Sequence, residues 1–421
     1  MMNLLERLLF AIRVVILRRN YAADLRRLRM TVGKRKFKVA FFVSELAKWK
    51  GQRVFDRMRA SELFEPLIVV MPRTDHFRLP LDWQIQMEDE KLRYFQSRRI
   101  PVVDIQRSGK TGTLDIDDLG ADIVFYQQPW CLLRQMKPLA VSKRALTFYF
   151  PYYVPNYSDV EIEIGHKLHH FLYGHIVCNE RMAEFFRRVR RCMPGAYGGK
   201  LLPLGHPSLD AIPFSESGGP DDGCVIYAPH WTIEYGEMSP ELKYSTFLEN
   251  GRFILDYAKH HRELKWAFKP HPALRAALVR SGAMTRLEAD TYYHEWEEIG
   301  EACYSGPDDY IELFGRSRAM ITDCGSFLTE YGCTGKPIIR LVNPKLNADT
   351  QPMVRDLYST YYNVHGRDRL QSVLDEVVVG RRDPMRDKRL AALKEANLTG
   401  HDAAGAIVKY LEDLVRGVRG T

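Results

Sequence analysis

The sequence has few cysteines, and none of them are spaced as metal ligands or as a redox motif. The seven cysteines are an odd number among 421 residues, and no two form a CxxC motif. Disulfide frameworks and structural zinc sites both depend on paired or clustered cysteines. The cysteines therefore favour a reducing compartment, and we expect neither disulfides nor a metal site.

The N-terminal region lacks an apolar run long enough to span a bilayer. Its apolar stretch at 8–17 is ten residues long and is interrupted by Arg13. A spanning helix needs about 20 apolar residues, so this stretch does not cross a membrane. It is also a poor signal peptide, because the apolar part contains an arginine and no clean cleavage site follows it.

A basic arm is present instead. The net charge of the chain is +8, but residues 1–38 alone carry +9, so the remainder is close to neutral. We interpret 1–36 as a basic amphipathic arm, with 1–30 lying on an anionic membrane surface. A helix packed on the protein's own surface is the first alternative. Nucleic-acid binding is the second, and we do not expect it, because long apolar side chains have no role on a phosphate backbone.

Buried strands alternate with helices along the rest of the chain. Apolar strand patterns occur in KVAFFV, PLIVV, IPVVDI, ADIVFY and ALTFYF, and later in CVIYA, LKWAF and AMIT. Helices are predicted between them, including one at 89–98 and one at 247–260. This alternation predicts an α/β fold with parallel, doubly wound sheets.

A stretch of Gly, Ser, Pro and acidic residues at 215–223 predicts a linker. It separates two Rossmann-like domains at 37–214 and 224–384, and amphipathic helices follow at 385–421. We expect the two domains to face a cleft, with ligands bound outside the carboxyl ends of the strands.

Polar residues follow three strands of the second predicted domain. The strand ends read APHW at 228–231, KPHP at 269–272 and TDCGS at 322–326. Carboxyl ends of parallel strands share one edge of a sheet, and polar groups that converge there mark a ligand site. The pattern suits a nucleotide diphosphate. We expect His271 and His230 to be catalytic. The residues expected to bind nucleotide or phosphate are Lys269, Thr322, Asp323, Gly325, Ser326 and Glu330.

Several of these residues have roles that suit phosphate or ribose. Gly325 allows the backbone to approach a ligand closely. Ser326 is predicted to cap the helix that begins directly after it, whose free N–H groups favour phosphate. Lys269 and His271 can donate to phosphate oxygens. Glu330, one helical turn after Ser326, can accept hydrogen bonds from a ribose, and a capping or surface role is its alternative.

Three other patterns resemble known sites and are rejected. SGKTGT at 108–113 lacks the first glycine of a phosphate-binding P-loop. DIDD at 115–118 precedes a strand, which favours helix capping over metal binding. HKLHH at 166–170 has histidines at helical spacing, but no cysteine completes a zinc set nearby. These histidines have the alternative of lining an acceptor groove.

Three segments carry a family resemblance. YAPHW, FKPHP and SRAMITDCGSFLTEY followed by GKPII resemble the nucleotide-binding half of the CDP-glycerol glycerophosphotransferases of teichoic-acid and capsule assembly. The resemblance covers about 222–345, while FFVSELAKWKGQ, FEPLIVV and ADIVFYQQPW resemble a Gram-negative-type branch in the first half. It implies a GT-B-like fold, with the acceptor domain at 37–214 and the nucleotide-donor domain at 224–384.

The resemblance also implies an activity. Glycerol phosphate would pass from CDP-glycerol, the donor substrate, to a hydroxyl of a surface glycan or lipid-linked acceptor, with release of CMP and no required cofactor. His271 would face the donor phosphates, and the loop from Thr322 to Ser326 would match the family's phosphate loop. The expected location is cytoplasmic, peripheral on the inner face of the bacterial plasma membrane.

The sequence departs from the family at two places. Cys324 and Gly325 stand where the family has tyrosine and serine, and no HG dipeptide matches the family's first-domain histidine motif. The general base is therefore unassigned, with His166, His230 and Tyr152 as candidates. Two alternatives stay open: a GT-B glycosyltransferase that uses a nucleotide sugar, and an inactive nucleotide-binding partner in capsule assembly.

Overall fold

A computed structural model describes residues 4–78, 80–106, 114–154, 167–191, 199–214, 216, 221–233, 243–299, 301–302, 309–346 and 352–418. The SGKTGT segment, His166 and most of the predicted linker lie outside these residues. The chain divides into two compact units. The first comprises Met1–Tyr153, Val160–Asp210 and His401–Thr421, and the second comprises Val154–Asp159 and Ala211–Gly400.

The first unit contains a parallel sheet of seven strands. They are β1 Phe37–Val43, β2 Phe64–Val70, β3 Val102–Asp104, β4 Ile123–Tyr126, β5 Leu146–Tyr149, β6 Gly174–Val177 and β7 Lys200–Pro203. Their order is β3-β2-β1-β4-β5-β6-β7, the arrangement of a doubly wound sheet. The central strands β1, β4 and β5 are apolar nearly throughout because helices cover both faces of such a sheet.

The helices of the first unit include one from the far end of the chain. The C-terminal helix, Ala403–Arg416, packs into the same core as the helix Gln52–Ala60 through Ile407 and Leu411. The helices predicted at 385–421 therefore divide between the units. The other helices of this unit are Leu4–Thr31, Leu81–Ser97, Ile116–Leu119, Pro138–Val141 and Glu180–Arg191, with 3-10 turns at Leu46–Lys48, Thr74–Arg78, Arg134–Met136, Lys167–Phe171 and Leu209–Ala211.

Two helix predictions for this unit have clear outcomes. The helix predicted at 89–98 begins earlier, at Leu81, directly after Pro80. The capping role predicted for DIDD is confirmed, because the Asp115 carboxylate accepts hydrogen bonds from the backbone N–H groups of Asp117 and Asp118. These acids satisfy free N–H groups at the start of a short helix.

The second unit contains a parallel sheet of six strands. They are β8 Cys224–Ala228, β9 Lys265–Phe268, β10 Glu301–Ala302, β11 Ser317–Thr322, β12 Ile338–Leu341 and β13 Tyr362–Val364. The order is β10-β9-β8-β11-β12-β13, so the winding direction reverses between β8 and β11. The helices are Phe247–His260, Leu274–Arg280, Arg286–Ile299, Asp309–Arg316, Gly325–Glu330, Pro352–Ser359, Arg367–Val373 and Arg386–Ala396, with a 3-10 turn at Gly332–Thr334 and a π-helical turn at Leu374–Val379.

The N-terminal helix, Leu4–Thr31, has two apolar faces. One face is buried against the first unit through Leu17, Tyr21 and Leu28, each at most 3% exposed. The Tyr21 hydroxyl donates to the carbonyl of Phe171 at 2.6 Å. The other face carries six large apolar side chains that are 44–64% exposed, which we call the apolar stripe: Leu5, Leu8, Leu9, Ile12, Val15 and Ile16.

One face of this helix therefore packs on its own protein, and the other face presents apolar surface over the first half of the helix. No helix among the described residues has the length and apolarity needed to cross a membrane.

Candidate functional site

The three predicted strand ends are neighbours in the second unit. Strand β8 lies between β9 and β11, and all three run parallel. The segments that leave them begin at Pro229, Lys269 and Asp323 on the same edge of the sheet. The reversal of winding between β8 and β11 falls at this point, which is where doubly wound sheets bind their ligands.

Two histidines lie together at this edge. The ring centroids of His230 and His271 are 5.1 Å apart. The backbone N–H of His271 donates to the carbonyl of Pro229 at 3.0 Å, so the segments after β8 and β9 are tied to each other. This bond fixes the spacing of the two backbone segments that carry the imidazoles.

The hydrogen bonds at Nδ1 determine which ring nitrogen carries the proton. His271 Nδ1 accepts from the backbone N–H of Ala273 at 3.1 Å. His230 Nδ1 lies 2.8 Å from the hydroxyl of Thr232. That hydroxyl already accepts from the N–H groups of Tyr244 and Ser245, so its own hydrogen is directed at His230. With Nδ1 occupied as an acceptor, each neutral ring carries its hydrogen on Nε2.

The environment of His230 keeps its ring neutral. Burial lowers the pKa of His230 well below its ordinary value, and the neighbouring His271 lowers it further. An uncharged ring can donate a hydrogen bond through Nε2 at neutral pH. An anion bound beside His230 would favour its protonated form and so oppose this lowering of its pKa.

Asp323 holds this part of the site together and is only 3% exposed. Its Oδ1 accepts from the backbone N–H of His230 at 2.6 Å. Its Oδ2 accepts from the N–H of Thr246 at 2.6 Å and from the Thr246 hydroxyl at 3.0 Å. Both carboxylate oxygens are therefore engaged inside the unit, and they join the segment after β8 to the start of the helix Phe247–His260.

Thr322 also forms its contacts inside the unit. It is fully buried, and its hydroxyl donates to the carbonyl of Ala228 at 2.6 Å while accepting from the N–H of Cys324 at 2.9 Å. The hydroxyl thus fixes the end of β11 against the end of β8. Thr322 and Asp323 position the two segments, whereas the sequence predicted that they contact nucleotide or phosphate.

The cap predicted for Ser326 is wrong. The helix begins at Gly325, and Cys324 occupies its N-cap position without a side-chain cap bond. Ser326 is therefore within the first turn, with its hydroxyl 3.5 Å from the Cys324 sulfur. Burial raises the pKa of the Cys324 thiol to about 11, so the sulfur stays protonated. The helix begins earlier than predicted because the backbone leaves the extended conformation immediately after Cys324.

The remaining predicted residues are buried near the same edge. Lys269 is 6% exposed, and its backbone N–H donates to the carbonyl of Tyr227 at 2.8 Å. Gly325 is buried at the first helical position. Glu330 is 2% exposed at the end of the helix.

Sequence reasoning missed the two threonines that support the site. Thr232 orients His230, and Thr246 binds Asp323, although both lie outside the three strand ends. A threonine two residues after a histidine, and a threonine directly before a helix, are local signals that would have found them.

The described candidates for the general base belong to different units of the chain. His230 lies in the second unit and Tyr152 in the first. The ring of Tyr152 packs against Trp130 at 6.1 Å, and the Lys48 ammonium lies 4.9 Å from its centre. His166 lies outside the described residues.

No protein-family model matches this chain, and no curated protein matches it. Solved structures do resemble it. A variant of the wall teichoic acid polymerase TagF, soaked with CDPG, matches with a TM-score of 0.54 and 13% identity, over 99% of this chain and 98% of that one.

Two structures with bound uridine nucleotides also resemble the chain. The UDP-GlcNAc 2-epimerase from Neisseria meningitidis, bound to UDP-GlcNAc, matches with a TM-score of 0.52 and 12% identity, over 90% of this chain and 100% of that one. The S. aureus MnaA–UDP complex matches with a TM-score of 0.52 and 13% identity, over 90% and 97%. The likeness extends over nearly the whole chain and shows that the protein has the α/β fold of GT-B enzymes.

Proposed function

We propose that this protein is a transferase that uses a nucleotide-diphosphate donor, and that its donor is CDP-glycerol. The observation that carries the proposal is the pair of histidines after β8 and β9, whose rings are 5.1 Å apart and carry hydrogen on Nε2. Two N–H groups at the switch point of a doubly wound sheet suit the oxygens of a diphosphate, and Lys269 lies two residues before His271 in the same segment. The structural likeness to a teichoic acid polymerase supports the choice of donor.

The reaction is a displacement at phosphorus. A hydroxyl oxygen of a surface glycan or lipid-linked acceptor attacks the β-phosphorus of CDP-glycerol. The bond from that phosphorus to the bridging oxygen breaks, CMP leaves, and the hydroxyl proton passes to a base. His230, His271 and Lys269 stabilise the negative charge that develops on the phosphate oxygens. Thr232, Thr322 and Asp323 keep those groups in place.

The alternative donor is a nucleotide sugar, which the UDP and UDP-GlcNAc complexes of similar structures favour. Attack would then fall on the anomeric carbon and release a nucleoside diphosphate. We expect CDP-glycerol to raise the thermal midpoint of the protein more than CDP-ribitol, UDP-GlcNAc or GDP-mannose at equal concentration, because a ligand that binds only the folded state stabilises it. Differential scanning fluorimetry measures this without any acceptor.

Product analysis tests the same proposal with membranes supplied as acceptor. CMP release from CDP-glycerol is the expected result, and a heat-treated sample is the control. Release of UDP or GDP from a sugar nucleotide without any CMP would establish the glycosyltransferase alternative. Binding of CDP-glycerol without turnover of any donor would favour an inactive nucleotide-binding partner.

We further propose that the N-terminal helix docks on the inner face of an anionic bacterial membrane. The apolar stripe gives it an exposed apolar surface, and the arm at 1–38 carries a net charge of +9. Apolar insertion and attraction of basic residues to anionic lipid act together in such helices. Removing 1–30 is a poor test, because Leu17, Tyr21 and Leu28 belong to the core of the first unit.

Substitutions within the apolar stripe test membrane docking without disturbing the core, because the stripe residues are exposed. We expect the double variant Ile12→Glu, Ile16→Glu to lose at least tenfold of its affinity for vesicles containing phosphatidylglycerol, because two exposed apolar contacts become negative charges. Vesicle co-sedimentation measures the affinity. Leu287→Glu, at a side chain that is 76% exposed in the second unit, is the matched control. Equal sedimentation of the double variant and wild type would refute the docking proposal.

A further inference from the structure

A cavity of about 320 Å³ lies in the second unit, at the edge of the sheet opposite the histidine pair. Its wall includes Ser317, the first residue of β11, and Pro337, the residue directly before β12. Because the strands are parallel, these residues mark their amino ends, whereas His230 and His271 follow carboxyl ends. The cavity is therefore separate from the proposed donor site, and its size is within the range of small-molecule sites.

Positive charge predominates in the wall of this cavity. Among the described residues that line it are four cations and two acids: Arg318, Lys336, Arg381 and Arg386, with Asp221 and Asp383. Each acid is engaged with an arginine inside the unit. Asp221 pairs with Arg318 at 3.3 Å, and Asp383 pairs with the fully buried Arg389. The other three cations therefore leave an excess of positive charge around the cavity.

Lys336 supplies its charge from a fixed position. Its side chain is buried, and its ammonium donates to the carbonyls of Phe314 at 3.2 Å, Gly315 at 2.5 Å and Ser317 at 2.6 Å. Burial lowers the pKa of Lys336, because the charged form is less favourable away from water. An anion in the cavity would offset this cost.

The two arginines that follow in the chain are placed differently. Arg381 has a φ of 53°, in the left-handed region that favours glycine, and strained backbone of this kind is concentrated at ligand sites. Its side chain is exposed and forms no ion pair or hydrogen bond with another described residue. Arg386 is partly buried and donates to the backbone carbonyl of Glu216. Both guanidinium groups line the cavity without an acidic partner among the described residues.

We propose that this cavity binds a small molecule that carries phosphate groups and at least two negative charges. Arg381 and Arg386 would donate charge-assisted hydrogen bonds to the phosphate oxygens, since the planar guanidinium matches phosphate geometry. Lys336 would add attraction from behind the wall. The inference goes beyond the proposed function and does not rest on it, because these residues lie at the opposite edge of the sheet from the histidine pair.

Pyrophosphate, titrated without divalent cations, is the probe that tests this inference. Isothermal titration calorimetry should detect binding to wild type, and the double variant Arg381→Glu, Arg386→Glu should bind at least tenfold more weakly, since charged hydrogen bonds are lost and repulsion replaces them. The matched control is Arg382→Glu, Lys388→Glu, which makes the same charge change at exposed residues of the same segment that do not line the cavity. It should keep wild-type affinity. Equal affinities of the two double variants, or no binding to wild type, would overturn the site.

A single substitution separates binding from folding. Glycine adopts the left-handed conformation without strain, so Arg381→Gly should have an unchanged or higher thermal midpoint and yet bind pyrophosphate at least threefold more weakly. Wild-type affinity in this variant would show that Arg381 does not contact the anion. Any pyrophosphate bound at the histidine pair contributes equally to both double variants and cancels in their comparison. The titrations contain no CDP-glycerol, so their failure would leave the proposed donor untouched.

Discussion

Replacing His271 by alanine is expected to lower the rate of CMP release by roughly 100-fold, the usual effect of removing one fixed donor to a developing oxyanion. The ring of His271 is oriented by the hydrogen bond from Ala273 to Nδ1, which leaves Nε2–H for the phosphate. Because this contact strengthens as charge develops, the loss should appear mainly in kcat. Steady-state kinetics with CDP-glycerol and membranes measures it.

The substitution has two useful controls. His294→Ala removes a histidine whose side chain is 68% exposed in the same unit, and it should leave the rate unchanged. His271→Gln retains an N–H group and should recover part of the lost rate. If His271→Ala turns over CDP-glycerol as fast as wild type, the histidine pair is not the diphosphate site.

Replacing Asp323 by alanine is expected to have the largest effect on stability. The change leaves three buried donors without acceptors: the N–H of His230, the N–H of Thr246 and the Thr246 hydroxyl. Each unsatisfied donor costs about 1–3 kcal/mol, so we expect a loss of about 3 kcal/mol or more in the free energy of unfolding. Hydrogen exchange in the second unit measures it, because two units need not unfold in one step.

The matched control is an exposed aspartate. Asp290→Ala removes a carboxylate that pairs with Arg275 and whose side chain is 39% exposed. We expect this change to lower the free energy of unfolding by about 0–1 kcal/mol. A similar small loss in Asp323→Ala would show that the three donors find water or other partners.

Asp323 also predicts how stability depends on pH. Burial raises the pKa of Asp323 from 3.8 to about 6, so between these values the folded state holds a proton that the unfolded chain has released. The stabilising contribution of this group is therefore complete below about pH 4 and is lost as the pH rises through 6. Asp323→Asn cannot titrate. Between pH 4 and pH 7, wild type should lose about 2 kcal/mol relative to this variant, at 1.36 kcal/mol per pKa unit.

Parts of the site could be predicted from sequence because they depend on strand ends. The apolar pattern of the strands places His230, His271 and Asp323 within three residues of the ends of β8, β9 and β11. In a parallel sheet those positions share an edge. The same pattern did not reveal that the Asp323 carboxylate points back into the unit, because side-chain direction depends on which N–H groups lack partners nearby.

The cap at Ser326 shows a different limit. Serine is among the best N-cap residues, so local preference favoured it over cysteine. The path of the chain after β11 nevertheless starts the helix at Gly325 and leaves Cys324 at the cap. Packing of the buried strand end therefore outweighs the N-cap preference for serine, which is worth about 1 kcal/mol.

The sequence by itself determined the α/β class, the parallel strands and the basic arm, since each depends on hydrophobic period or on charge along the chain. Only the tertiary structure decided which groups meet. It brought the rings of His230 and His271 together, placed the helix Ala403–Arg416 in the first unit, and placed Arg13 in the wall of an apolar cavity. These results depend on contacts between residues distant in sequence, which no local pattern encodes.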